Sequence, residues 1–488
     1  MIFNKIKYRK PQIGLWLILA LLFSSCSDFL DVDPTGELPS ITTVSEANAA
    51  LNGVYARMKS RRYYGTDLIT YGDVRGDDMA TSKIGDRTAS AYQFANLSSL
   101  TYTNVGYFWQ YIYDELNRIN SLLEKIDSGD IKVTTDAEKS TVNDIKGQLY
   151  TLRALAHFNL VRIHGEPYLK NKEALGIVVA ERVIDKGEFL KRSTVEDAYT
   201  SIVKDLKLAI EDNLISKTKK DGYVNYWGAE SLLARVYLHM GNWEGAYNLS
   251  VDVIKNGGYS LISNADYVSS WAKSSTTESI FEIVSLETDN ADREGIGYVM
   301  KPRNSSTKGY GAVSLSDDFI ALMNQDPKDV RLGLLQEGDY NAQGYLAKYP
   351  GQNDNVYVNN TRVVRLSDVY LMAAEAGVYA NKSDASDYLN AIRKRANPEV
   401  TDIVATAKLV ETERRKELVG EGTRFFDIIR NLGTETVQRK GQKNYPVSST
   451  MLPEISWNNE DTYRLIMPIP SSEMDVNGVI QQNPGYTN

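Results

Sequence analysis

Few residues of this chain have the types and spacing that catalysis requires. The densest run of carboxylates is Gly72-Asp73-Val74-Arg75-Gly76-Asp77-Asp78. Two acids held about 5–10 Å apart can hydrolyse a glycoside, but the same run reads more simply as a polar loop that hydrogen-bonds ligand or solvent. The chain has three histidines, His157, His164 and His239. None has a second histidine at the H-E-x-x-H spacing of a zinc site, so all three read as satisfied helical positions. There is no G-x-S-x-G elbow and no Walker A loop. No catalytic residue, no metal site and no cofactor is therefore expected. Arg414, Arg415, Glu417, Glu421, Arg424 and Asp427 crowd into one stretch. At three- to four-residue helical spacing such charges pair with one another, so they are expected to fix helix packing rather than hold an anion. Arg153 is read in the same way.

The lone cysteine, Cys26, takes its chemistry from what precedes it. Lys5, Lys7, Arg9 and Lys10 make a basic start, Leu15 to Phe23 an apolar run, and Ser24 and Ser25 supply small residues before a cut site. That order is a secretory signal, and the apolar run is too short for a span, which needs about 20 residues. The site resembles a lipobox with Phe23 in place of the usual Leu. Cys26 is then acylated and becomes the first mature residue, each buried methylene contributing about 0.8 kcal/mol of anchoring. The chain carries 55 basic and 63 acidic residues, a net charge of −8. Losing the cations of the signal leaves it more acidic still. No Lys/Arg patch stands out, so nucleic acid and anionic membrane surfaces are poor partners.

The elements that must position any site are helical. Thr43 or Ser45 is placed to cap a helix over residues 47–58. Apolar periodicity then marks 108–126, 142–163, 195–210, 226–240, 244–254, 366–379, 383–395, 408–419 and 424–431. Gly241-Asn242-Trp243 breaks one such run. With Ala229, Leu233, Ala234, Tyr237 and Ala246 around it, the order resembles a tetratricopeptide repeat. Stacked helix pairs bury one another's apolar faces and share one core. Trp109, Trp227 and Trp243 are expected in that core. Residues 256–360 differ, being rich in Gly, Ser, Asn and Tyr with short alternations such as Ser279 to Val284. The expected organisation is a signal peptide (1–25), a lipid-anchored tether (26–40) and a single domain (41–488). Within that domain lie helical repeats at about 41–255 and 361–431, a loop-rich ligand face at about 256–360 and an ordered C-terminal tail at 432–488.

Several stretches taken in order resemble the SusD/RagB family. They are SSCSDFLDVDP at the start, LRALAHFNLVRIHGEP (152–167), residues 229–261, RLSDVYLMAAEA (365–376), YLNAIRKRAN (388–397), ERRKELVGEGTRFFDIIRN (413–431), MPIP (467–470) and QQNPGY (481–486). The resemblance implies a mainly α fold: a tetratricopeptide-like helical-pair scaffold with a loop-rich, short-strand insertion. It also implies a surface lipoprotein of the outer membrane, without catalytic activity, that captures glycan for a SusC-like TonB-dependent transporter. A peptide-binding member, or a surface hydrolase acting on glycans, is the alternative.

Sugar recognition needs flat aromatic faces and planar polar groups, and Tyr offers an apolar body with a wet end. Loop placement selects Tyr63, Tyr64, Tyr71, Asp73, Arg75 and Asp78 after the first helix, joined by Tyr102, Asn104 and Tyr107. A second group, Trp271, Tyr298, Arg303 and Tyr310, comes from the insertion. Metabolic labelling with a fatty-acid probe is expected to mark position 26; a bare Cys26 would overturn the lipoprotein reading.

Overall fold

The computed structural model describes residues 41–82, 87–95, 107–302, 309–337, 344–431, 437–439, 455–457 and 462–486; Cys26 lies outside them. The long helices are α1 (Val44–Met58), α2 (Phe108–Asp127), α3 (Asp136–His164), α4 (Val195–Glu211), α5 (Tyr226–Met240), α6 (Trp243–Asn256), α7 (Leu366–Tyr379), α8 (Ala385–Ala396) and α9 (Ala407–Leu418). The strands are short: β1 (Met79–Thr81), β2 (Ser279–Ile283), β3 (Val313–Leu315), β4 (Leu335–Glu337), β5 (Gly344–Leu346), β6 (Thr361–Arg365), β7 (Val437–Arg439) and β8 (Ile455–Trp457). The fold is mainly α, as expected.

Threonines set three of the helix starts. Thr43, Thr135 and Thr194 accept from the backbone three residues on, while Glu46, Glu138 and Asp197 bond back to the cap. Each such capping box contributes about 1 kcal/mol. The first turns they open are polar, which is why α1 and α3 begin earlier than apolar periodicity alone marks them.

The helices pack in series: α2 on α3, α3 on α4, α4 on α5, α5 on α6, α6 on α7 and α7 on α8. Gly241 closes α5 in the left-handed region, φ 71°, and lets α6 turn back against it. The chain leaves this stack after α6 and re-enters at α7, yet α6 and α7 are direct neighbours, so everything between them is looped out. Antiparallel pairing of β2 with β6, Ser279 opposite Arg365 and Ile283 opposite Thr361, ties the stem of that excursion. A second pairing, Met79 of β1 opposite Leu315 of β3, fastens the excursion to the segment that follows α1. Two positions read as core stay there, Trp109 and Trp227. Trp243 does not: it is half-buried and stacks on Tyr379 with ring centroids 4.4 Å apart, because it lies just past the turn, at the end of the helix pair. Much of the tail expected at 432–488 lies outside the described residues. Its last part docks on α3, where Met467 N–H donates to Ile163 O at 2.8 Å and Asn483 Nδ2 to His164 O at 2.8 Å.

The histidines are buried and neutral. Burial pushes His157 and His164 down to about 3, and His157 Nε2 accepts from the Ala180 amide at 3.0 Å.

The charged stretch after residue 412 holds the scaffold to the excursion. Glu417 of α9 accepts from Arg331 Nη1 at 3.0 Å and Arg365 Nη1 at 2.7 Å, and pairs with Arg395. Glu421 takes Arg365 Nε and Lys348 Nζ, both at 2.7 Å. Farther along, Arg414 meets Asp427 and Asp368, and Arg430 forks onto Glu375 at 2.6 and 2.7 Å. Arg153 likewise pairs with Asp205 at 2.7 Å. Burial opposes ionisation of Glu417, but Arg395, Arg365 and Arg331 outweigh it and hold the carboxyl well below its ordinary range. The charges are structural, as expected, but the pairing differs from the expectation: of the six only Arg414 and Asp427 pair with each other, while Glu417, Glu421, Arg415 and Arg424 reach partners far away in sequence, because packing turns them away from their helical neighbours toward other elements. Removing one partner leaves buried charge uncompensated, at a cost of about 3–5 kcal/mol. Glu417→Gln is therefore expected to lower unfolding free energy by about that much in urea titrations, and Arg365→Lys to lower it as well, because an ammonium lacks the planar fork that bridges Glu417 and Glu421.

Candidate ligand-binding face

The first tyrosine group, expected in a loop, lies elsewhere. Tyr63 and Tyr64 lie in a π-helical turn, Arg61–Gly65, and Tyr71 and Asp73 in a short helix, Asp67–Val74, with Arg75 capping it. All are buried, Tyr63 and Arg75 completely. Asn159 Nδ2 donates to the Tyr63 and Tyr64 hydroxyls at 2.7 and 3.0 Å. Tyr71 packs on Phe108 and Phe425. The Arg75 guanidinium lies 4.0 Å over the Phe94 ring and donates to Arg464 O at 2.7 Å. Asp73 Oδ2 accepts from the Gly422 amide at 3.0 Å, and Asp78 is gripped by Arg415 at 2.6 Å. Burial pushes both carboxyls up. This segment therefore docks on the loop around Gly422. The approach is so close that a Cβ added at Gly72 would sit 2.0 Å from Gly422 O. Its rings are used for packing, and Asp73 and Asp78 are not displayed as an accessible acid pair.

Trp271 is also buried, with the Arg362 guanidinium 3.9 Å over its ring and Lys348 Nζ at 4.7 Å. Tyr102, Asn104 and Arg303 lie outside the described residues.

The remaining three, Tyr107, Tyr298 and Tyr310, are brought into one neighbourhood by side chains that spacing did not single out. Tyr107, at the head of α2, is half-buried under the exposed Arg62, whose guanidinium lies 3.8 Å over the ring. The neighbouring Arg61 pairs with Glu294, and Arg87 forks onto the same carboxylate, one arm at 2.7 Å. Arg87 also covers Tyr310 at 4.5 Å. Tyr310 meets Tyr298 edge-on at 4.9 Å, and Tyr298 stacks on Tyr357 at 5.6 Å. Thr66 Oγ1 donates to Glu294 O at 2.6 Å, fastening the loop to the π-helical turn. Hydrogen bonds from Arg87 and Arg61, working against partial burial, keep the Glu294 carboxyl below its ordinary range.

The result is a set of half-buried rings, Tyr107, Tyr310 and Tyr357, held by Arg62, Arg87 and Tyr298 respectively, with Arg61 and Arg87 sharing Glu294. Each cation–π contact at such a site contributes about 0.5–1 kcal/mol, enough to hold a ring's orientation before ligand arrives. Rings offer apolar faces to C–H surfaces, and planar guanidinium and carboxylate groups offer hydrogen bonds to hydroxyls. Arg62 was legible only as the alternate neighbour of two tyrosines: in Arg61-Arg62-Tyr63-Tyr64 the rings turn inward and the arginines outward.

A solved putative sugar binding protein from Bacteroides vulgatus is 35% identical, covers 92% of this chain and 100% of its own, and superposes with a TM-score of 0.84. A SusD superfamily protein from Bacteroides thetaiotaomicron is 34% identical, covers 91% and 100%, and gives 0.82. The SusD family matches residues 336–486, and the family described as starch-binding associating with outer membrane matches residues 28–238. This chain belongs to the SusD family. Among more distant SusD relatives, a SusD-like protein of Formosa agariphila, P2, is 25% identical over 96% of this chain and 99% of its own length. A laminarin-binding SusD-like protein shares the SusD fold, with 22% identity and a TM-score of 0.73.

Asp67 lies beneath the face, with Arg61 Nε 3.9 Å away. Burial pushes its carboxyl up to about 7, Arg61 pulling the other way. A raised native pKa means that the folded chain keeps a proton which the unfolded chain releases above 3.8, so stability falls as pH rises from 3.8 to about 7. Urea unfolding across that window is expected to show the wild type losing stability relative to Asp67→Asn as pH increases.

Proposed function

We propose that this SusD-family protein is a cell-surface glycan-binding lipoprotein. It captures oligo- or polysaccharide on the Tyr107–Tyr310–Tyr357 face, without turnover, and delivers it to a partner SusC-like TonB-dependent outer-membrane transporter. The observation that carries the reading is the set of half-exposed tyrosines whose orientation is held by Arg62 and Arg87. Rings alternating with planar polar groups match a ligand whose surface alternates C–H faces with hydroxyls. Loops carried on a rigid stack are where binding residues concentrate, and the helical stack is such a support. The sugar-binding name of the 35% identical Bacteroides vulgatus relative points the same way. So does the outer-membrane name of the family matched at residues 28–238. Cys26 anchors the chain through its acyl groups, and the acidic stretch 27–40 tethers the body to the membrane.

Tyr310→Ala is expected to weaken retention in glycan-containing affinity gels by about tenfold, the loss of roughly 1.4 kcal/mol of ring contact. Tyr63→Ala should instead lower thermal stability, since that ring is wholly buried. Release of reducing ends from the retained glycan by the wild type would contradict capture without turnover.

A further inference from the structure

We propose that a second groove holds the distal part of the same glycan chain, so that this protein selects for chain length. The inference rests on the glycan reading above and extends it. The groove spans about 540 Å³ between α1, the turn at Gly222 and the end of β2, within the usual range for ligand sites. By the same measure the cavity inside the arginine-rich core spans about 40 Å³, room for a few waters.

Its lining has the chemistry of a sugar subsite. Tyr223 is half-buried and held on three sides. Its ring meets Tyr55 edge-on at 4.9 Å, Lys220 Nζ lies 3.8 Å over it, and its hydroxyl donates to Asn52 Oδ1 at 2.6 Å. Val284 and the half-exposed Leu286 add apolar surface, and Asn52, Asp221 and Asp289 give a planar polar rim. Gly53 is telling. A side chain there would meet nothing within 4 Å, so no packing contact requires glycine. A mid-helix glycine nevertheless costs about 1 kcal/mol relative to alanine. What its missing side chain provides is an unobstructed groove wall.

The groove is continuous with the first face. Lys59 and Ile283 border both it and a smaller depression whose far side includes Tyr357, the ring stacked on Tyr298. Lys59 is paired with Asp289 at the junction, leaving a neutral ledge. A linear chain long enough to cross that ledge touches both sites, and a short fragment occupies the first face alone. Two linked sites raise affinity beyond either alone.

The test uses the mature protein in affinity gels containing laminarin, starch, xylan, galactomannan or pectin. The retained polysaccharide is partially hydrolysed to a size ladder for binding titrations. Gly53→Trp, which fills the groove, and Tyr223→Ala are each expected to weaken binding of long chains about tenfold and to leave the shortest bound fragments unchanged. Tyr310→Ala should weaken both. Wild-type affinity of both groove variants for long chains overturns the inference while leaving the glycan reading intact. Equal loss for long and short chains also overturns it, since the substitutions then act through the fold. Retention of the wild type by none of the five polysaccharides overturns the glycan reading itself.

Discussion

Glu417 is where the molecule is tied together. Its carboxylate faces Arg331 from the excursion, Arg365 from the end of β6 and Arg395 from the end of α8. Three segments far apart in sequence thus converge on one buried group. A hydrophobic contact at this point would tolerate sliding. A planar carboxylate read by guanidinium forks does not, because each fork fixes direction as well as distance. Buried charge is a poor source of net stability, so the contribution of this network is orientation. Arg365 links Glu417 to Glu421, and the backbone at Gly422 holds Asp73. Through that chain the position of the segment after α1 depends on the same few carboxylates.

The proposed ligand face follows from that constraint. Within residues 61–75, Gly72 and Asp73 are pressed on the Gly422 loop and Tyr63 and Tyr64 are held inward by Asn159 of α3, which leaves Arg61 and Arg62 facing out. Those arginines then meet Glu294 and Tyr107, while the β1–β3 pairing keeps the excursion alongside. The rings that reach solvent are supplied by α2 and by the excursion. Rigidity and display are divided: the charged core holds the backbone, and cation–π contacts set the rings.

The tyrosine-rich loops were partly legible. Tyr298 and Tyr310 of the insertion are in ring contact, and Tyr107 is covered by Arg62, the neighbour of an arginine that pairs with the same excursion. The burial of Tyr63, Tyr64, Tyr71 and Trp271 is not readable from spacing, because tyrosine and tryptophan carry no mark of which end faces water. The buried Arg75 and Asp73 were no easier, since charged residues are buried only where partners exist, and their hydrogen-bond partners, Arg464 O and the Gly422 amide, lie far away in sequence.

The amino-acid sequence by itself determined the helical stack, its caps and its turn glycine, because those depend on neighbours within a few residues: Thr43 with Glu46, Thr135 with Glu138, Gly241 after Met240. It also marked the charges of residues 413–431 as structural, although helical spacing pointed to partners within that stretch and most of the partners lie far from it. Only the tertiary structure decided which charges they meet, which tyrosines turned inward, and that Arg61 and Arg87 share Glu294 between the head of α2 and the excursion. Local spacing encodes periodicity and caps; burial and long-range pairing depend on where the backbone returns, which no short stretch of residues specifies.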